Sequence, residues 1–454
     1  MKPLTAQQVT SIIDASLVEG DRDALICGGV CTDTRQLREG SLFVALSGEN
    51  FDGNAFARPA LERGATAVVV SSWDGGKPHK GAVILVENPL DALQKLASWW
   101  RSQLSLHVIG LTGSNGKTST KDMTAAVLSQ KFSTLATRGN LNNHIGLPLT
   151  VLSTCENHQA AVYEMGMNHP GEIAPLAAIA KPQITIITNI GSSHIEFLGS
   201  RENIAREKAS IASGLTENEL LILPHDCDFL PLIRSLTKAR IMTTGGSEDA
   251  IQATQIRENQ GCMKFTLVID QNHAEVTLPV AGRHMVANAL LAAAAGHACG
   301  MDCASIARGL DQASLTSGRL RRFVSRGITV FDDTYNANPE SMMAGLQTLA
   351  AQDVPDGGRR FAVLGRMGEL GVHAAEGAQR VGICAAALPI HAITVGNEAD
   401  LISRHAGENA RHFSERETAA AWLSHELRAG DVVLFKGSRT AAMERVMKQI
   451  FPDD

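Results

Sequence analysis

Residues 106–120 read LHVIGLTGSNGKTST, an apolar run that breaks into a glycine-rich turn and then into polar residues. A short continuous apolar run ended by a turn signal reads as a buried strand. Beyond the turn, Met123, Ala126 and Val127 repeat at i, i+3 and i+4, so a helix is expected from Lys117 to about Lys131. Strand, glycine turn and helix in that order have the logic of a phosphate loop. Backbone N–H groups approach phosphate oxygens, and the positive end of the helix faces the anion. Gly113, Ser114, Asn115, Gly116 and Ser119 would then surround a nucleoside triphosphate. Lys117 would reach the β- and γ-phosphates, and the Thr118 hydroxyl would sit on Mg²⁺. A strict Walker pattern is not met, because Leu111 stands where its first glycine belongs.

Working outward, the strand candidates QAAVYEMG (159–166), QITIITNIG (183–191) and ELLILP (219–224) alternate with helical stretches. That alternation implies a mostly parallel sheet covered on both faces. The alternating stretch 264–280, KFTLVIDQNHAEVTLPV, predicts an antiparallel hairpin at the edge. Upstream, Thr5 and Gln8 form a capping box, followed by SLFVALSG, the helix NAFARPALERG, the strand ATAVVV and the helix LDALQKLASWWRSQL. Downstream of SLTSG (314–318), GITVFDD, FAVLG, HAITVG and DVVLFKG each precede a helix-like segment, with a second capping box expected at Ser414 and Glu417. The expectation is an α/β protein of three domains. These are a small N-terminal α/β domain (1–105), a central mostly parallel-sheet ATPase domain with the phosphate loop (106–317), and a Rossmann-like doubly wound C-terminal domain (318–454).

A length of 454 residues agrees with three domains at roughly 150 residues each. Hydrophobic residues at 44% and charged residues at 19% exclude a disordered or coiled-coil chain. A net charge of −6 and only 4% aromatics argue against a nucleic-acid partner. No window approaches a membrane span and the N-terminus lacks a signal-peptide pattern, so a cytoplasmic monomer is expected. The pairs Cys27/Cys31 and Cys299/Cys303 have a spacing looser than zinc sites favour and are read as structural.

Polar residues at the carboxyl ends of parallel strands surround the ligand crevice of such folds. Glu164 and His194 hold such places as candidate Mg²⁺ ligands, and Lys208 lies fourteen positions after His194. Asp332 and Asp333 end another strand, and only one of two adjacent carboxylates can face a given site. Arg319 precedes that strand and is a candidate bridge to nucleotide phosphates. Lys436-Gly-Ser-Arg439 closes the last strand at a second potential anion site.

Read together, these motifs resemble the Mur ligase family of ATP-dependent peptidoglycan-precursor enzymes. TDTR (32–35) with GSLFVALSGENFDGNAF (40–56) is similar to that family's uridine-nucleotide-binding domain, which implicates Thr34, Arg35, Ser47 and Gly48. TGSNGKTST matches its variant phosphate loop, and GNLNNHIGLP (139–148) its sugar-nucleotide contact, with Asn140, Asn142 and Asn143. YEMGMNHPGEI and GSSHIEFLGS match its Mg²⁺ segments at Glu164 and His194. GRHMVANA puts Asn288 at the adenine, and Asp333 and Arg319 fall among the ATP contacts. Lys208 aligns with a lysine that the family carbamylates to make an anionic metal ligand. The most specific run is FDDTYNANPESM (331–342), with Tyr335, Asn336 and Asn338 as substrate contacts beside Lys436 and Arg439 of KGSRTAAME.

The resemblance implies ATP and Mg²⁺ as cofactors, UDP-N-acetylmuramoyl-tripeptide and D-alanyl-D-alanine as substrates, and catalysis by Lys117, His194 and Lys208. It implies an acyl phosphate that an incoming amine displaces. Three positions depart from the family pattern: Arg366 replaces a usual Asp, Ser210 a frequent Glu, and Asn54 a common His. TDTR argues against folate-polyglutamylating relatives, and DDTYNANP against siblings that add one amino acid. A nucleotide-dependent switch without ligase activity is the alternative from another class.

Overall fold

The computed structural model describes residues 1–49, 51–75 and 81–452. The chain folds as two compact units: residues 1–110, 132–167 and 171–183 form one, and residues 111–131, 168–170 and 184–454 the other. The strand His107–Thr112 carries the chain from the first into the second.

The first unit opens with helix Ala6–Ile12, whose Thr5–Gln8 capping box forms as expected. Its five-stranded sheet has the order Ser16–Glu19, Ala82–Leu85, Ala67–Val70, Leu42–Val44, Val30–Cys31. All pairs are parallel except the first. The stretch expected as one helix from Asn54 splits into a 3-10 turn, Gly53–Phe56, and helix Ala57–Glu62. Asp52 caps the turn, accepting from the Asn54 N–H, so helical hydrogen bonding starts late. Helix Pro89–Ser102 buries Trp100, whose Nε1 donates to the Thr154 carbonyl at 2.7 Å. Arg101 donates to the carbonyls of Leu104, Ala180 and Lys181. The parallel strands Thr134–Ala136 and Ala160–Glu164 bring Glu164 to a strand end.

In the second unit, Ile184–Ile187, Leu220–Pro224 and Arg240–Thr244 pair in parallel. The expected hairpin is present as Cys262–Ile269 with Asn272–Leu278, and Ile251–Asn259 adds a third antiparallel strand. The C-terminal sheet has the order Arg321–Ser325, Ile328–Asp333, Val432–Lys436, Arg360–Leu364, His391–Val395, Ala410–Phe413, parallel beyond its antiparallel first pair. The capping box expected at Ser414 and Glu417 does not form. Helix Arg416–Glu426 has Glu415 at its N-cap with no side-chain cap, so Ser414 lies one residue too early.

The phosphate-loop helix Lys117–Leu128 is wedged against helices Arg283–Ala298 and Cys303–Asp311. Glycine makes this possible. A Cβ on Gly296 would lie 2.6 Å from Val127 Cγ1, and one on Gly309 would lie 2.5 Å from the Val127 Cα. The segment before the C-terminal sheet is tied to the same helix, with the Thr316 N–H and hydroxyl both donating to Asp122 at 2.9 Å. Because the Gly309 neighbour is backbone, Gly309→Ala should overpack the helix triangle and cost about 1–3 kcal/mol, read as a lower urea midpoint.

Candidate active site

The loop 113–116 takes its shape from two glycines. Gly113 has φ +151, and a Cβ there would fall 1.8 Å from the Thr188 hydroxyl. Gly116 has φ +76, caps helix Lys117–Leu128 without a side-chain bond, and has Asn288 against it. Any side chain would therefore meet both a steric block and a left-handed backbone. The residues after strand Ile184–Ile187 hold the loop. Ser114 N–H donates to the Asn189 carbonyl and Asn115 N–H to Asn189 Oδ1, at 3.1 and 2.9 Å. The Thr188 hydroxyl donates to the Asn115 carbonyl, Gly191 N–H to Ser114 Oγ, and the Ser193 hydroxyl to the Ser114 carbonyl. Lys117 Nζ folds onto the Gly113 carbonyl at 2.8 Å.

Helix Pro339–Ala350 begins in the YNANP run, and its first residues reach the same loop. Asn338 caps the helix by accepting from the Ser341 N–H at 2.9 Å. Its Nδ2 donates to Asn115 Oδ1 at 2.7 Å and to the Ser193 hydroxyl. Glu340 Oε2 accepts from the Ser192 N–H and hydroxyl at 3.2 and 2.7 Å, while its other oxygen faces Arg380. Asn338 thus joins the phosphate loop, and Glu340, Ser192 and Ser193 complete a polar clamp that no local sequence pattern announced.

His194 has φ +63, and its Nδ1 lies 2.5 Å from Glu369 Oε2. The two atoms are in contact, although the ring N–H is not aligned on the carboxylate oxygen. Interaction with His194 is the main cause that holds the Glu369 carboxyl below its usual range, and His169 and Lys117 add to it. Lys208 is 1% exposed on helix Arg201–Ala209, where Ser210 turns its hydroxyl to the Glu207 carbonyl. Burial, reinforced by the positive charge of Lys117, drives the Lys208 amine well below its ordinary value. A shift in that direction favours the uncharged amine, the form that carries a nucleophilic lone pair.

Asp333 and Lys436, register partners on adjacent strands, pair at 2.5 Å, and Lys436 also donates to the Asn336 carbonyl at 3.1 Å. Asp332 turns aside and accepts from the Thr334 N–H and hydroxyl. The Arg319 guanidinium lies 4.3 Å over the Tyr335 ring, and its Nε is a buried donor without a partner among the described residues. Arg439 is exposed and faces Glu444 at 3.8 Å.

In the first unit, Glu164 is buried and accepts from Asn142 Nδ2 at 2.8 Å. Asn143 Oδ1 accepts from the N–H groups of Ile145 and Gly146, and the Asn140 carbonyl accepts from Asn142 N–H. Arg35 pairs with Asp33 at 2.7 Å beside Thr34, the Ser47 hydroxyl donates to Asp52, and Gly48 bridges to Phe51. Of the departures, Asn54 bonds Asp52 and Ser71, and Arg366 pairs with Glu398.

Three family models match in chain order: the Mur ligase family catalytic domain at residues 27–101, the Mur ligase middle domain at 111–296, and the Mur ligase glutamate ligase domain at 318–439. The chain belongs to the Mur ligase family. It is 36% identical to the UDP-N-acetylmuramoyl-tripeptide–D-alanyl-D-alanine ligase of Bacillus subtilis over 98% of each chain. It is 37% identical to the Escherichia coli enzyme of that name over 99% of each. A crystal structure of MurF from Acinetobacter baumannii superposes with a TM-score of 0.92, at 34% identity and complete coverage of both chains. That of MurF ligase from Thermotoga maritima in complex with ADP superposes with a TM-score of 0.83, at 29% identity over 94% of this chain and 97% of that one.

One titration in this Mur ligase is open to direct test. Burial lowers His284 to about 4, with Asp333 opposing the shift and Lys436 adding to it. A depressed folded pKa confers stability that is full above the ordinary value of 6.5 and is lost as pH falls through about 4. His284→Gln should therefore flatten the decline of unfolding free energy across that window by on the order of 1–3 kcal/mol, measured by urea denaturation at stepped pH.

Proposed function

We propose that the chain is an ATP-dependent ligase that adds D-alanyl-D-alanine to UDP-N-acetylmuramoyl-tripeptide in the cytoplasmic stage of peptidoglycan synthesis. The observation that carries the chemistry is the phosphate loop 113–116, with Lys117 at the helix start and buried Lys208 near enough to feel its charge. The substrate follows from the relatives' shared name and the YNANP run. Residues 1–105 bind the UDP-sugar, residues 106–317 the ATP, and residues 318–454 the incoming dipeptide.

An amine merely protonates an unactivated carboxylate, so the carboxylate must first gain a leaving group. Its oxygen attacks the γ-phosphorus of ATP, the bond to the β-phosphate oxygen breaks, and ADP departs to leave an acyl phosphate. The dipeptide amine then attacks the carbonyl carbon, the C–O bond to phosphate breaks, and the amine sheds its extra proton. Loop N–H groups and Lys117 stabilise charge on the transferring group because they are fixed beforehand. Arg319, whose buried Nε has no partner among the described residues, suits a phosphate oxygen, and Asn288 lies beside Gly116 where the nucleotide would enter.

The donor chemistry also suits Mg²⁺, a hard cation that prefers oxygen. The Thr118 hydroxyl, the Glu164 carboxylate, His194 and a carbamylated Lys208 would hold it, and it would supply positive charge beside the phosphoryl group. A neutral Lys208 amine adds to carbon dioxide and releases one proton, which converts a cation into a carboxylate. Tyr335, Asn336, Lys436 and Arg439 remain as dipeptide contacts, and Thr34, Arg35, Ser47, Gly48, Asn140, Asn142 and Asn143 as sugar-nucleotide contacts.

Phosphate release with Mg²⁺-ATP and UDP-N-acetylmuramoyl-tripeptide should require D-alanyl-D-alanine. Release with single amino acids alone overturns the assignment. Lys117→Ala should lose turnover by about 10²-fold or more while circular dichroism stays unchanged, and undiminished ligation would refute the site. With ¹³C-bicarbonate at pH 8, one carbamate resonance should appear that Lys208→Arg lacks and that fades on acidification, as protonation removes the attacking lone pair.

A further inference from the structure

We propose that Glu369 is the positioning residue for His194, and that the C-terminal segment thereby completes a metal ligand of the central one. The inference rests on the reading of His194 as a ligand. An imidazole can bind a cation through one nitrogen only when the proton sits on the other. A carboxylate that accepts from that second nitrogen fixes both tautomer and ring direction. Glu369 Oε2 lies 2.5 Å from His194 Nδ1, which leaves Nε2 as the ligating atom. Alignment that is loose without substrate and tightens in the loaded complex is common for such contacts.

The backbone builds the contact as well. Glu369 and His194 both hold left-handed conformations, at φ +58 and +63. Such strain in residues with side chains persists only where the surroundings impose it. Here the Glu196 N–H donates to the Glu369 carbonyl at 3.2 Å. Gly371, at φ +50, lies against Glu196, where an added Cβ would come within 3.0 Å of its Cγ. Glu369 follows strand Arg360–Leu364, whereas His194 follows strand Ile184–Ile187. The tautomer of a central residue is therefore set from the segment that also carries Asn338 and Glu340. Metal binding at full strength then requires that segment to be seated, which links ATP use to the presence of the dipeptide-binding residues.

The test reads Mn²⁺ binding by electron paramagnetic resonance with ADP present, and ADP binding in EDTA by calorimetry. Glu369→Ala should weaken Mn²⁺ on the order of 10–100-fold, while Glu369→Gln, which keeps an acceptor oxygen, loses less. ADP affinity in EDTA should stay within about twofold of the parent for both, as expected of a role confined to the metal ligand. Should Glu369→Ala not fold, the isosteric Glu369→Gln decides, and a several-fold Mn²⁺ loss supports the proposal. Mn²⁺ affinity unchanged in the Glu369 variants but lost in His194→Ala overturns the positioning role alone. Retention in His194→Ala removes the ligand reading and the proposal with it. An equal loss of ADP binding in EDTA marks a merely structural role and also overturns it.

Discussion

Two missing Cβ atoms set the terms for everything around the phosphate loop. At Gly113 the Thr188 hydroxyl occupies the space a side chain would need, and at Gly116 Asn288 does. The loop is thus defined by what presses on it from strand-end residues and from helix Arg283–Ala298, as much as by its own sequence. The same device recurs one layer out, where Gly296 and Gly309 let two helices close on Val127. A loop seated on such a rigid base presents its N–H groups already oriented. That is the condition for electrostatic stabilisation without reorganisation at the moment of reaction.

Charge is distributed around that frame with a division of labour. Asp333 and Lys436 neutralise each other, and the half-buried carboxylate of Glu340 is satisfied by Ser192 and Arg380. Lys208 stays buried with its amine driven toward neutrality. Arg319 keeps a buried donor with no partner among the described residues, and the positive end of the loop helix points the same kind of charge at an anion.

Local signals were legible and distant ones were not. The Thr5–Gln8 capping box, the loop helix and the hairpin after residue 262 all rest on neighbours in sequence, and all formed. Strand Ile251–Asn259 is illegible because IQATQIREN mixes polar residues across a bulge and has no clean alternation. The box at Ser414 failed by one residue, which is the scale on which helix ends are set by packing rather than by pattern. Within the site, motif residues could be named but not their partners. Nothing near VLGRMGELG points to His194, 175 positions upstream, and nothing near YNANP points to Asn115.

Asn338 is fully committed as a chemical object. Its carbonyl oxygen holds the helix start, and its amide nitrogen serves Asn115 and Ser193. Aspartate could accept but not donate, serine could not span both directions, and glutamine would displace the cap. The position therefore admits one residue type, and a change that helps folding there cannot be made independently of one that alters the loop. A change at this position would loosen the helix start and the phosphate loop together, so any variation that tunes one without the other has to arise elsewhere in the chain.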